Sequence, residues 1–384
     1  MENSDRPSRA LLLAASILPG VGHLMLGKRR RGVHLLLLTV GLALVLVLRW
    51  DAFVEALMSP RLASWLSARF LLAALATTAL FSLYDVRRSL ASHGEDYRGR
   101  SPFQVARRRF ADNQLAVIAL YVIVLMYLIA ALAPILAPFD PAAIENPTET
   151  QYLAPSWQHL FGTDEFGRDL FSRALYGASV SLSIGLLAVL IAITIGTVYG
   201  SVAGFFGGLI DSVFMRVVDV VIAFPVFFLM LMLVGIFEAN IVFLILILGL
   251  TSWTGTARFI RGEVLSIKER EFIEGASAIG LPSQLVIVRH IIPNAMAPVL
   301  VSAALMVGGM IAAEAGLSFL GIGIRPPTPS WGNMISQGQD ALLVAWWVAF
   351  FPGALLVTTI LAFNLLADGL RDALDPKTLM RKVV

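Results

Sequence analysis

"EREFIEGASAIGLPSQLVIVRHIIPNAMAP", residues 269–298, interrupts an otherwise oily chain. Charges, glycines and prolines stand in it around an apolar pattern of helical spacing. Glu274, Gly275 and Ala276 open a helix. Gly280 closes it and Pro282 follows, where a helix has usually stopped. A second short apolar helix leads into "RHIIPN", in which Pro293 marks the start of the next membrane-length run. The stretch therefore reads as a helix–turn–helix on a membrane face, joined directly to a span. A soluble partner pressing on its turn would move that span. The plainer alternative is an amphipathic helix lying in the interface.

The surroundings make this reading necessary. Of 384 residues 58% are hydrophobic and only 14% charged, with a mean hydropathy of +0.80. Such a chain cannot hide its apolar surface in one globular core, so lipid is its solvent. The formal charge of +3 is small, and aromatics are not interleaved with basic patches, which excludes nucleic acid as a partner. Cysteine is absent, which removes disulfides, iron–sulfur clusters and thiolate zinc sites. His23, His34, His93, His159 and His290 share no metal-ligand spacing, and no nucleophile stands with a base. No catalytic or metal site is expected.

Membrane spans need about 20 apolar residues. Six stretches meet that length, at about 115–137, 178–203, 217–237, 239–257, 291–313 and 341–367. Arg87, Arg88, Arg98, Arg100, Arg107, Arg108 and Arg109 precede the first and place that side in the cytoplasm. The segment 139–176 is rich in Asp and Glu and falls outside. The quoted stretch and the C-terminal Arg371, Lys377, Arg381 and Lys382 then return to the cytoplasm. The predicted class is an all-α integral membrane protein: a six-span core over 101–384, preceded at 1–100 by two or three further membrane helices and an Arg-rich linker. In that appendage 11–26 is short and broken by "LPGVG", 33–48 is short, and 62–84 suffices only if Arg69 snorkels or faces protein. Three spans, a re-entrant first hairpin and a signal peptide all stay open.

Other features have ordinary readings. "GHLMLGKR", residues 22–29, falls short of a phosphate-binding loop because Arg29 stands where Ser or Thr must hold magnesium. No nucleotide site is expected in this chain. Gly196, Gly200 and Gly204, four residues apart, make a flat strip for close helix packing. Asp219 and Glu314 are ionisable groups in apolar surroundings. Arg216, one turn before Asp219, offers it a local ion pair, and Glu314 falls where it can cap or pair near a span end.

Glu274, Gly275, Ala276, Gly280 and Pro293 resemble the "EAA" loop of ABC importer permeases, with Gly275 in place of the family's first Ala. "FGTDEFGRDLFSRALYGASVSLSIG" (161–185), "GFFGGLIDSVFMRVVDVVIAFP" (204–225), "EAGLSFLGIGIRPPTPSWGNM" (314–334) and "AWWVAFFPGALLVTTILAFNLLADGLRDALDP" (345–376) extend the resemblance to the second permease subunit of dipeptide, oligopeptide and nickel importers. It covers about 103–377 and implies a type I importer core in the cell membrane. It further implies a homologous second permease, two ATP-binding subunits that hold ATP and magnesium, and an external solute-binding protein. The loop residues become the coupling site to the ATP-binding subunits. Gly162, Thr163, Asp164, Gly167, Arg168, Asp169 and Trp331 are expected in external docking or gating loops. An exporter-type or binding-protein-independent ABC permease, and a pure membrane scaffold, are the other functions such a chain can have.

Overall fold

The structure, a computed structural model, describes residues 15, 19–26, 29–58, 61–91, 102–144, 147–237 and 240–374. Among the described residues it is helical, with one isolated bridge between Thr163 and Asp169 and no strand. The chain divides into two compact units, Met1–Arg100 with Ala131–Pro138, and Ser101–Ala130 with Phe139–Val384. Residues 131–138, placed by the sequence reading with the second segment, group with the first.

The first unit contains α1 (Val21–Met25), α2 (Arg29–Leu48), α3 (Trp50–Met58) and α4 (Leu62–Ala91). Arg31–Leu48 and Ala63–Val86 are long and apolar enough to cross a membrane. The candidate span 11–26 is broken where it is described, at Gly20 with φ of 97°; residues 1–14 and 16–18 lie outside the described residues. After that turn α1 packs back on its neighbours. His23 is fully buried and its Nε2 lies 3.0 Å from Asp85, while the Gly20 N–H donates to Ser82 Oγ at 3.4 Å. The described start of the near-match to a phosphate loop is thus a short helix held by side chains of α4; Gly27 and Lys28 lie outside the described residues. Arg69 lays its guanidinium 3.6 Å over the Trp65 ring, which gives its charge a partner within the span. Arg49 donates to the carbonyls of Ile135 and Ala137 at 2.9 and 2.6 Å, groups left over where a helix ends.

The second unit begins with α5 (Pro102–Asp112) and α6 (Gln114–Leu136) as far as Ala130, then α7 (Pro147–Thr150), α8 (Leu170–Phe206), α9 (Gly208–Ala223) and α10 (Val226–Ile236). It continues through α11 (Ile241–Lys268), α12 (Glu271–Ala278), α13 (Ser283–Val286), a π turn (Ile287–Ile291), α14 (Ile292–Phe319), α15 (Trp331–Gln339) and α16 (Trp347–Leu374). Counted with the first unit, seven described helices can cross a membrane, and the pair α9–α10 makes an eighth if it is one span. That gives two candidate spans before the core and five within it, or six if the bent pair is one span.

The predicted single span 217–237 is corrected. α9 and α10 meet at a 75° bend. Pro225 has no N–H to continue the ladder, and Phe224 before it is extended at φ −83°, ψ 128°, as a residue preceding proline prefers. The span predicted at 178–203 is a 37-residue helix, about 55 Å long. It stops at Gly207 and Gly208, both at positive φ. The last span begins at Trp347 rather than 341, and 239–257 extends to Lys268.

The core is built on α8, α11 and α14. A Cβ on Gly196 would come within 2.5 Å of Thr256, and one on Gly204 within 3.0 Å of Val264. The glycine strip therefore lets α8 and α11 approach more closely than any side chain permits. Leu182, Ile184, Ala188, Leu244, Leu248 and Ile311 form the buried centre between these helices.

Candidate functional site

The 271–293 segment is assembled from a helix end, a glycine turn and a widened helix. α12 ends in a Schellman-like turn: the Leu281 N–H donates to Ala276 O at 3.2 Å, with Gly280 at φ +80°. That conformation is favourable only without a side chain. α13 starts after Pro282 and runs without interruption through the π turn into α14. Pro293 lacks the N–H that would bond Arg289 O, and its ring crowds that carbonyl. The i→i+5 geometry at 287–291 accommodates both effects.

One face of the segment is buried. Ile273, Ala276, Val286, Ile287 and Ile291 pack with Ile260, Val264 and Ile267 of α11. The other face is open. Glu274, Gly275 and Gly280 are exposed, and a Cβ added to either glycine would meet nothing within 4 Å. Phe272, Ile279 and Val288 stand exposed on the same segment, Ile279 to 78%. Of the five predicted residues, Ala276 belongs to the packed face. Glu274, Gly275, Gly280 and Pro293 are exposed. The segment thus joins α11 to α14 while presenting an uncovered surface of charge, glycine and apolar side chains.

The loop expected to supply docking contacts is different. Thr163, Asp164, Arg168, Asp169 and Trp331 are all buried, so their side chains do not form a contact surface. Asp164 accepts from the N–H groups of Phe166 and Arg168 at 2.9 and 3.0 Å and from Arg168 Nε at 2.7 Å. Arg173 Nε lies 3.4 Å from the same carboxylate. Asp169 caps α8 through the Ser172 N–H at 2.7 Å and holds His159 Nδ1 at 3.0 Å. Gly162, at φ +77°, has no room for a Cβ, which would lie 2.5 Å from Leu153 O. Gly167 turns the chain at φ +75°. What the loop exposes is Trp157, at 97%, with Leu160 and Phe166.

Trp331 is part of a second polar knot. Its indole N–H donates to Ala174 O at 3.1 Å and its backbone N–H to Ser181 Oγ at 3.3 Å. Ser181 and Ser318 in turn donate to the fully buried Glu314 at 2.8 and 2.7 Å. Glu314 thereby ties α8, α14 and the start of α15. Arg173, Ser181 and Ser318 were not singled out from sequence, because serine in an apolar run and a single arginine at the start of a helix carry no signal of their own. The local pair of Asp219 with Arg216 is also corrected. Asp219 bonds Arg258 of α11 at 2.5 Å, and Asp211 bonds Arg261 twice at 2.5 Å. These pairs join α9 to α11, because the two helices face each other with opposite charge. Among the described residues no cluster of His, Cys, Asp or Glu could hold a metal ion.

Membrane-length helices, one of them continuous with an exposed helix–turn–helix, mark a multi-pass membrane protein. Residues 196–380 match the family of binding-protein-dependent transport system inner membrane components, and residues 101–155 match the N-terminal TM domain of oligopeptide transport permease C. The chain belongs to this family, the ABC importer permeases of the dipeptide and oligopeptide branch. It is 45% identical over 284 residues to the oligopeptide transport system permease protein OppC of Escherichia coli K12, covering 73% of this chain and 93% of that one. The dipeptide transport system permease protein DppC of Bacillus subtilis 168 is 40% identical over 71% of this chain and 85% of its own. The glutathione transport system permease protein GsiD of Shigella flexneri serotype 5b is 42% identical over 72% and 91%. The protein is therefore a multi-pass inner-membrane permease.

Proposed function

We propose that the chain forms half of the pathway of an ATP-driven importer for peptides or a related small solute. A homologous second permease completes the pathway. Two ATP-binding subunits, which hold ATP and magnesium, press on the 271–293 segment from the cytoplasm, and an external solute-binding protein delivers cargo. The C-terminus lies on the cytoplasmic side with the joint.

The observation that carries this reading is the continuity of the 283–319 helix. Its first residues pack beside an uncovered surface, while its remainder is a membrane-length helix. A displacement imposed on α12 and the Gly280 turn therefore reaches α14 through packed Ile273, Ile287 and Ile291 rather than through a slack linker. ATP can bias the pathway only through a difference in how its subunits hold this surface in two states. Substitutions at Glu274 and Gly280, which contribute nothing to the packed face, are the cleanest probe.

The test uses the assembled complex in proteoliposomes. Gly280→Leu and Glu274→Arg are expected to insert and purify normally. Stimulation of ATP hydrolysis by loaded binding protein should be lost, or the ATP-binding subunits should dissociate more readily. Wild-type transport by both variants would remove the segment from the coupling path. Single cysteines at Glu149 and Ser266, in a chain that has none of its own, set the orientation. An impermeant thiol reagent applied to intact cells should label position 149 and spare 266.

A further inference from the structure

At the opposite end of α11 from the joint, its first turns face the loop between α14 and α15 across an open cleft of about 590 Å³. That volume falls within the range of small-molecule sites. Val242, Phe243, Leu246 and Ile324 supply apolar wall, and Thr328 a polar edge. Arg325 is the one charged side chain on the lining. It is exposed and has no ion-pair partner among the described residues.

The backbone that carries Arg325 is held on both sides. The Ile324 N–H donates to Ser318 Oγ at 3.0 Å. The Asn333 amide donates to Ile324 O at 3.1 Å and to Thr328 O at 2.9 Å. Ser318 is itself bonded to Glu314. Pro326, Pro327 and Pro329 fix their own φ and leave few backbone donors between these anchors. A guanidinium on a pinned loop, without an internal partner and beside apolar wall, is preorganised for an outside anion. The nearby carboxylates Asp164 and Asp169 are already engaged within their own loop, Asp164 by Arg168 and Arg173 and Asp169 by His159.

We infer that this cleft takes the carboxyl-terminal residue of a peptide cargo, its carboxylate on Arg325 and its side chain against Phe243, Leu246 and Ile324. The inference rests on the proposal that the cargo is peptide-like. It commits to a carboxylate because guanidinium and carboxylate match in a two-bond fork, and because a peptide's last residue presents that anion and an apolar side chain from one carbon. Oligopeptides, dipeptides and glutathione, the solutes in the relatives' names, all carry free carboxylates.

The absence of cysteine supplies the test. Val242→Cys is labelled with an environment-sensitive fluorophore before assembly with the second permease and ATP-binding subunits in nanodiscs. The complex is then titrated with tri-leucine as the free acid and as its C-terminal amide. The free acid should give a saturable change, and the amide should bind at least tenfold more weakly. Arg325→Ala should weaken the acid by about tenfold and leave the amide unchanged, while Arg325→Lys keeps most of the preference. Equal binding of acid and amide, no saturable response, or equal loss of both in Arg325→Ala would overturn the assignment. So would unchanged peptide discrimination in an Arg325→Ala complex that no longer responds to its solute-binding protein, which would make Arg325 a protein-docking residue. Failure of the importer reading looks different: the label reports the acid, but the wild-type complex shows no ATP-driven uptake in proteoliposomes.

Discussion

The 271–293 joint and the 150–173 loop are both polar interruptions between apolar helices, yet they turn their polar groups in opposite directions. The joint keeps Glu274, Gly275 and Gly280 in the open and buries aliphatic side chains. The loop buries Asp164, Arg168, Asp169 and Arg173 and exposes Trp157, Leu160 and Phe166. One region holds its shape by apolar packing and leaves its motif free for another molecule. The other uses its motif to hold itself together. Two equally recognisable sequence signatures thus mark a surface in one case and an interior in the other.

The difference is sharpest at Asp164. Its removal leaves Arg168 and Arg173 buried beside no carboxylate at that position, and breaking a buried pair costs about 3–5 kcal/mol. Asp164→Ala should lose about that much in unfolding of the detergent-purified chain, with poor recovery from the membrane. A loss below about 1 kcal/mol would mean that the loop does not depend on its charges.

Glu314 ranks next. Glu314→Ala strands the Ser181 and Ser318 hydroxyls and should cost about 1–3 kcal/mol. Glu314→Gln keeps an acceptor oxygen and should retain most of that stability in the same measurement. Equal losses in both variants would show that the negative charge, rather than hydrogen bonding, is what the knot requires.

At the joint the effects on folding shrink. Gly280→Leu meets open space but an unfavourable φ, at a cost of about 1–2 kcal/mol. Thermal unfolding should therefore show only a small loss even where hydrolysis is uncoupled. Gly275→Ala goes the other way, since the site is exposed, helical and unobstructed. It should stabilise the chain by roughly 0.5 kcal/mol, and a decrease instead would reveal a constraint at this position beyond helix propensity.

The sequence shows the spans well because long apolar runs have few other uses in a protein. It shows the joint well because Gly280, Pro282 and Pro293 act locally on the backbone. It shows the bend at Pro225 poorly. Pro134, Pro298 and Pro352 all lie inside helices that continue past them, so a proline in an apolar run does not by itself announce a 75° break. Burial of the 162–169 loop was equally hidden. Asp, Arg and Thr in a connection read as water-facing until Arg173, on the helix that follows, and the Thr150 carbonyl, from the helical turn before, are seen to complete their bonds. The partners of Asp219 and Asp211 stand some 39 and 50 residues away, beyond any local spacing rule.

The π turn at Ile287–Ile291 sets the rotational phase of the joint. Ile287, Ile291, Ala295 and Val299 are all buried, four residues apart. On an ideal α-helix each such step drifts by about 40° around the axis. A widened turn at the start of that row takes up part of the drift and keeps the seam aimed at one neighbour. Deleting one residue between 287 and 291 would let the segment close to α-helical spacing, so that the buried row would resume its drift of about 40° per step.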